Sequence, residues 1–315
     1  MTNTPSTHFH SGELALQESV GAREKMDRVG QMMMRDHMIN QHRTFFAGLE
    51  YVFLAVIDAK GRPQPLILTG PAGFVCASDP HILRIDLSGP QDIASLGPLK
   101  IGGMIAVLGL NLSNRRRNRM HGRIVAANAS FLEIRVVQSY GNCPKYINRR
   151  EIVSREETTD PAQLRTSKTL SQADRALISQ ADTFFIASLH DSGSNAKFDG
   201  ADISHRGGEA GFVQLGADDN LTVPDYRGNN MFNTLGNVSL YPQVGLLFID
   251  FTTGGLLYLS GKAEIVTEPS SVTRFPAAQR MLKIAVFRSK FQANGVALRW
   301  ETGTPPPSKI KWPPC

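Results

Sequence analysis

From Leu49 onward the apolar residues come in short runs rich in Val, Ile, Leu and Phe, broken by clusters of Gly, Pro, Asp and Asn. Spacings of this kind are those of antiparallel sheets and small barrels, so the pattern predicts strands. DAKGRP and HDSGSN read as hairpin turns in which Gly61 and Gly193 supply permissive backbone. Ahead of the strands, Gly12 to about Gln41 carries Leu14, Leu16, Val20, Met26, Val29, Met32, Met33 and Met38 among charges. That spacing predicts helix with an apolar face, the methionines at 32 to 34 serving as core packing. Midway, REETTDPAQLRTSKTLSQADRALISQAD reads as a polar linker and then an amphipathic helix with Ser171 or Asp160 as its cap.

The strand pattern occurs twice. LEYVFLAVIDAKGRPQPLILTGPAGFV, ending at Val75, aligns with TFFIASLHDSGSNAKFDGADISHRGGEAGFV, ending at Val213. The register persists: Leu83 to Asp86 falls on Leu221 to Pro224, Ala94 to Gly97 on Asn233 to Gly236, and the strand around Gly122 on that around Gly261. The expected layout is a helical segment at 1–42, a first β-repeat at 43–158, a second at 159–303 and a proline-rich tail at 304–315.

Composition alters this picture little. The chain has 315 residues, 41% hydrophobic and 20% charged, which suits a globular protein able to bury one large core or two smaller ones. It has no run of eighteen apolar residues, and MTNTPSTHFHSGE lacks the charged and apolar regions of a signal peptide, so the expectation is a cytoplasmic protein without membrane contact. Cys76, Cys143 and Cys315 fit no disulfide framework. A diffuse net charge of +6 slightly favours small anionic ligands. Arg115, Arg116, Arg117 and Arg119 form either an anion site or a basic hairpin, and the lack of interleaved aromatics argues against nucleic acid. No metal-binding histidine spacing, P-loop, GxSxG or GxGxxG is present.

The most distinctive chemistry lies between Ala201 and Val266. There SHRGG, GFV, PDYRGNN, TLGN, GLLFIDF and SGKAEIV follow one another in order. In that order the motifs resemble the FMN-binding split barrels of the pyridoxamine 5'-phosphate oxidase superfamily. The resemblance implies a mainly β protein with flanking helices (α+β), built as two tandem split β-barrels of antiparallel strands forming a pseudo-dimer. Single barrels of that family commonly pair as homodimers with FMN in the groove between subunits, so a fused pair can build the groove within one chain and still form a further homodimer.

The candidate ligand-binding residues follow from residue chemistry and from the resemblance together. Arg206 offers a planar fork for phosphate oxygens, Ser204 a hydroxyl, and Gly207 a close approach to backbone amides. The bland alternative is a surface turn. Asn229 and Asn230 stand where the resembled oxidases carry a basic clamp, with Arg227 nearby to supply charge, and can otherwise simply close a turn. Asp225 and Tyr226 either bond the ligand or frame that turn. In GNCPKYI, Asn142 can cap a helix started by Pro144, with Lys145 and Tyr146 at its anion-attracting end. A Gln-Ser pair after the barrel contributes to the flavin site in the resembled family, which points to Gln138 and Ser139. Because the first repeat has IDLSGPQ where the second has PDYRGNN, one flavin per chain is expected. The implied function is FMN-dependent oxidoreduction of a small-molecule substrate or electron donor. The alternatives are a non-catalytic flavin- or haem-binding split barrel, and an interaction protein without flavin. No residue is singled out as catalytic.

Overall fold

The computed structural model describes residues 8–89, 99–156, 164–268, 275 and 277–303. Three helices lead the chain: α1 (Ser11–Ser19), α2 (Arg23–Met33) and α3 (Asn40–Ala47). The helical stretch expected as one run is therefore broken, and α3 crosses the expected boundary at residue 42. Of the methionine cluster only Met34 is buried, at 6% exposure, whereas Met32 is 65% exposed. The core-packing expectation fails for Met32 because α2 turns that face to solvent.

The first β-repeat holds β1 (Tyr51–Ile57), β2 (Pro63–Thr69), β3 (Val75–Cys76), β4 (Ile82–Asp86), β5 (Met104–Asn111), β6 (Arg116–Ala127) and β7 (Phe131–Gly141). They form an antiparallel sheet in the order β2-β1-β5-β6-β7-β4-β3. A connecting stretch carries β8 (Arg150–Arg155), β9 (Leu164–Ser167) and α4 (Gln172–Gln180), whose Ser171 accepts from the backbone of Asp174 as the helix cap. The second repeat then adds β10 (Thr183–His190), β11 (Gly200–Gly207), β12 (Gln214–Leu215), β13 (Asn220–Tyr226), α5 (Asn233–Leu240), β14 (Gln243–Ile249), β15 (Leu256–Val266) and β16 (Ala278–Gln292). Their order is β11-β10-β14-β15-β16-β13-β12, with β9 added beside β16. Strand for strand, the two orders are the same. The last strand, β17 (Leu298–Thr302), leaves its own sheet and pairs with β8. Asp160, Ala94 to Gly97 and the tail at 304–315 lie outside the described residues.

Even the irregularities repeat. The β6–β7 ladder shifts register between His121 and Gly122, and the β15–β16 ladder does so between Ser260 and Gly261. At both bulges the crossing strand passes too near for a side chain. A Cβ would stand 2.0 Å from the Arg135 carbonyl oxygen at Gly122 and 2.8 Å from Ile284 Cγ2 at Gly261.

Every residue of β10 from Thr183 to Leu189 is buried, because both faces of its sheet are covered. Phe184, Ile186 and their neighbours Leu246 and Phe248 fill the interior of the second barrel. The alternate residues Phe185 and Ala187, with Ile203 and Leu247, join a core built mainly by the first repeat. At the centre of this shared core, Phe53 of β1 stacks on Phe185 of β10 with ring centroids 3.6 Å apart. The two rings are equivalent: Phe53 pairs with Leu108 of β5, and Phe185 with Leu247 of β14. The chain is thus an intramolecular pseudo-dimer, with equivalent aromatic residues meeting across its junction. Among the described residues no helix is long and apolar enough to cross a membrane.

Phe185→Ala should destabilise the chain by about 3–5 kcal/mol in urea unfolding, the usual cost of removing a fully buried phenylalanine. In a double-mutant cycle with Phe53→Ala, the two rings should show a coupling of about 0.5–1.5 kcal/mol. Strict additivity would mean that they do not meet.

Candidate functional site

Period-two alternation along β11 sends Ser204 and Arg206 to one face and His205 to the other. Arg206 Nη1 donates to Asp225 Oδ1 at 2.7 Å, and Arg280 Nη1 lies 3.5 Å from the other oxygen of the same carboxylate. Asp225 is on β13, separated from β11 by four strands in the sheet order, so the pair spans the split in the barrel. Beyond Tyr226 the chain must turn sharply into α5, and Asn230 and Phe232 do so with φ of +62°. Asn229 supports that turn by accepting from Met231 N at 3.1 Å.

The opposite wall comes from the first repeat. Alternation along β6 aims Arg117 and Arg119 toward the second barrel, while Arg116 reaches back to the Gln41 carbonyl oxygen. Arg119 is buried and fully engaged. It ion-pairs with Asp202 and donates to the Ile203 carbonyl oxygen at 3.0 Å, to Ser204 Oγ at 2.9 Å and to Asn233 Oδ1 at 3.1 Å. Arg117 Nε donates to the Cys143 carbonyl oxygen at 2.8 Å, and among the described residues no carboxylate pairs with it. Burial, together with the charges of Arg119 and Arg206, lowers its pKa to about 10, although Cys143 opposes the shift.

After β7, residues 142–149 form a strap and not the expected helix. Contacts with the second barrel hold them in place, with a turn at Lys145 and Tyr146, where Tyr146 has a φ of +61°. Asn142 Oδ1 accepts from Asn229 Nδ2 at 3.1 Å, Tyr146 Oη donates to the Arg227 carbonyl oxygen at 3.2 Å, and the Tyr146 and Tyr226 rings stack at 5.4 Å. Asn148 Nδ2 donates to the carbonyl oxygens of Asp182 and Gly208, each at 2.9 Å. Gly207 is required here for a reason the sequence did not show. A Cβ on it would stand 2.1 Å from the Tyr146 carbonyl oxygen.

These elements enclose a cleft at the junction of the repeats. Among the residues singled out from the sequence, Lys145, Tyr146, Ser204, Arg206, Gly207, Asp225, Tyr226, Asn229 and Asn230 line it. Arg227 sits behind the wall, where its carbonyl oxygen takes the Tyr146 hydroxyl. Gln138 and Ser139 are elsewhere. Gln138 Nε2 donates to the His8 carbonyl oxygen, Ser139 Oγ lies 3.2 Å from His42 Nδ1, and the Ser139 backbone pairs with Arg35. The pair holds the N-terminal helices, because β7 passes beneath them before the chain reaches the cleft. Of the arginine run read as either an anion site or a basic hairpin, Arg117 and Arg119 line the cleft, and sequence reasoning missed the α5 residues Asn233 and Thr234. The signal for the arginines was their alternate spacing within a strand.

The cleft attracts anions, since four cations (Arg117, Arg119, Lys145 and Arg206) and one carboxylate (Asp225) line it. His205, in the same wall, has a pKa well below the ordinary value because of burial first and then the nearby Arg117, Arg150 and Arg206. It is therefore a neutral imidazole, and its buried Nε2 has no partner among the described residues.

Residues 170–301 match the family model described as Pyridoxamine 5'-phosphate oxidase. The second repeat is a pyridoxamine 5'-phosphate oxidase-like split barrel. Similar solved structures include HupZ of Group A Streptococcus, at 17% identity and a TM-score of 0.31 over 41% of this chain and 98% of that one. A putative pyridoxamine 5'-phosphate oxidase of Lactobacillus delbrueckii is 11% identical, with a TM-score of 0.30 over 39% of this chain and 94% of its own. A FAD-binding protein of Mesorhizobium loti is 12% identical, with a TM-score of 0.27 over 41% of this chain and 98% of its own. No curated protein sequence matches the chain.

In the oxidase-like repeat Ser204, His205 and Arg206 occupy the β11 positions that Leu66, Ile67 and Leu68 occupy on β2, as the strand registers show. By the same registers Arg117 and Arg119 correspond to Leu256 and Tyr258 on β15. Leu66, Leu68, Leu256 and Tyr258 are all buried in the shared core. Among the described residues, the pseudo-symmetric position therefore carries apolar and aromatic side chains where the cleft carries Arg117, Arg119, Ser204 and Arg206. Removing Arg119 would leave Asp202 buried without its charge partner. Arg119→Ala should cost about 3–5 kcal/mol in urea unfolding, with much of the loss recovered in Arg119→Met/Asp202→Leu. A cost below about 1 kcal/mol would mean that the pair is open to solvent.

Proposed function

We propose that the cleft holds FMN and that the chain is a flavin-dependent oxidoreductase acting on a small-molecule substrate or electron donor. The observation that carries this reading is Arg117, a cation with no carboxylate partner among the described residues, set beside Arg119 and Arg206 where the repeats meet. A phosphate monoester supplies the missing charge, about −1.5 to −2 at neutral pH. The residues fit the rest of the molecule as well. Arg117, Lys145 and Asn229 present donors suited to phosphate oxygens, with Arg206 adding charge while paired to Asp225. Tyr146, Tyr226 and Phe232 offer flat apolar surface beside the polar groups of Ser204, Asn230 and Thr234.

Bound flavin would supply hydride or electron transfer, and the protein's part is to bind it, orient it and select what reaches it. Arg119, pinned by Asp202, fixes the Ser204 hydroxyl at the cleft wall. The Tyr146–Tyr226 stack and the Asn142–Asn229 bond hold the strap against the loop, so that one wall from each repeat is presented in a fixed relation. Haem in the same cleft is a second reading. It rests on the neutral His205 imidazole, whose unpartnered Nε2 is buried on the other face of β11 and would have to turn into the cleft to meet an iron.

The absorbance of the purified chain separates the two readings, since oxidised flavin gives paired near-ultraviolet and blue bands and haem a Soret band. Titration should give one FMN per chain, and two equivalent sites would contradict the apolar counterpart. Arg117→Ala should weaken FMN by about 1.5–3 kcal/mol, roughly ten- to hundredfold. Lys145→Ala, at the exposed lip, should cost no more than about 1 kcal/mol. Unchanged affinity in Arg117→Ala would remove the main support for a phosphate there.

A further inference from the structure

Helix α1 touches the cleft from behind. A Cβ on Gly12 would stand 2.3 Å from the Gly236 carbonyl oxygen, and one on Gly236 would stand 2.5 Å from Glu13 Cγ. The backbones of α1 and α5 therefore meet at a distance that only glycine permits. Three side chains of α1 and its N-cap then bond the loop and helix that form the cleft wall. His10 Nε2 lies 2.9 Å from Asn237 Oδ1, Glu13 Oε1 accepts from Asn233 Nδ2 at 2.6 Å, and Gln17 Nε2 donates to the Met231 carbonyl oxygen at 3.3 Å. All three are buried, at no more than 4% exposure.

Glu13 is the costly member. Its other oxygen accepts from His10 N at 3.0 Å, and the nearby Arg119 is already committed to Asp202. Burial raises its pKa to about 8. An apolar residue would secure α1 at lower cost, so the carboxyl is explained by what it orients. Asn233 Oδ1 accepts from both Arg119 Nη1, at 3.1 Å, and the Tyr140 hydroxyl, at 3.2 Å. With two donors on one side and an acceptor on the other, the Asn233 amide has a single satisfactory orientation. Without the acceptor it can flip and present its NH2 group to the Arg119 guanidinium.

We propose that Glu13 is a positioning residue of the cleft, acting through Asn233 on Arg119 and Ser204, so that docking of α1 and occupancy of the cleft are thermodynamically coupled. For its ligand-dependent part this inference rests on the flavin reading. Coupling of this kind is reciprocal: what α1 does for the ligand, the ligand does for α1.

The test combines hydrogen exchange with FMN titration for the full chain and its Glu13→Ala and Glu13→Gln variants. In Glu13→Ala, amides from 228 to 237 should exchange faster without any ligand, and FMN affinity should fall about tenfold. Glu13→Gln keeps an acceptor for Asn233 but sets its NH2 against His10 N, so exchange from 228 to 237 should stay slow while the first turn of α1 opens faster, with FMN affinity within about threefold of wild type. In the unmodified chain, saturating FMN should slow exchange in α1. Unchanged exchange from 228 to 237 in Glu13→Ala, or a Gln variant as impaired as the Ala variant, would overturn the proposal. If the unmodified chain binds no flavin, the flavin reading falls, and the ligand-free exchange measurements still decide the role of Glu13.

Discussion

The structure depends on one face of each sheet being buried against the other. Phe53 and Phe185 mark that junction, and their stacking fixes how the repeats are placed. Once they meet, β5 and β6 of the first repeat must lie beside β11 of the second, and the chain leaving β7 must cross the second barrel before it can turn back. The cleft is a consequence of this packing. Neither repeat could build it alone, because the guanidinium wall belongs to one and the loop with Asn229 and Asn230 to the other.

Near symmetry makes the differences informative. Equivalent positions around the junction carry Arg117, Arg119, Ser204 and Arg206 at one end and Leu256, Tyr258, Leu66 and Leu68 at the other. Apolar residues at the second end enlarge the shared core, and each buried side chain of that size contributes about 1.5–3 kcal/mol. Polar residues at the first end make the opposite exchange. Arg119 with Asp202, and Arg206 and Arg280 with Asp225, satisfy most of the charge that results. Arg117 is left over, partly exposed to the cleft, and an unpaired cation there is the strongest chemical statement the structure makes about an anionic ligand.

Much of the fold was legible in the chain. The 138-residue offset between Val75 and Val213 exposed the duplication, and the sequence order of SHRGG, PDYRGNN and SGKAEIV carried the resemblance to the oxidase barrels. Residues that make the site by local structure, such as Ser204, Arg206 and Asn229, could be found because turns and strand ends leave local signatures. Arg117 could be named only as one of the arginine run. Its role is set by packing between segments far apart in sequence, and within RRRNRMHG only the period of two distinguished it from its neighbours. The same limit explains the errors. GNCPKYI has the local chemistry of a helix start, but contacts with Asn229, Arg227 and Gly207 hold it as a non-helical strap. Gln138 and Ser139 were placed at the cleft by analogy, and the N-terminal helices, for which the barrel pattern has no place, engage them instead.

The central claim is that both repeats build one anion-binding cleft and that the pseudo-symmetric position, where Leu66, Leu68, Leu256 and Tyr258 are buried, binds no flavin. A crystal structure of the chain grown with FMN tests it most directly. The account predicts one flavin per chain, its phosphate within hydrogen-bonding distance of Arg117 from the first repeat and its ring against the second. A flavin at the position of Leu66 and Leu256, or a phosphate that no first-repeat residue touches, would contradict it.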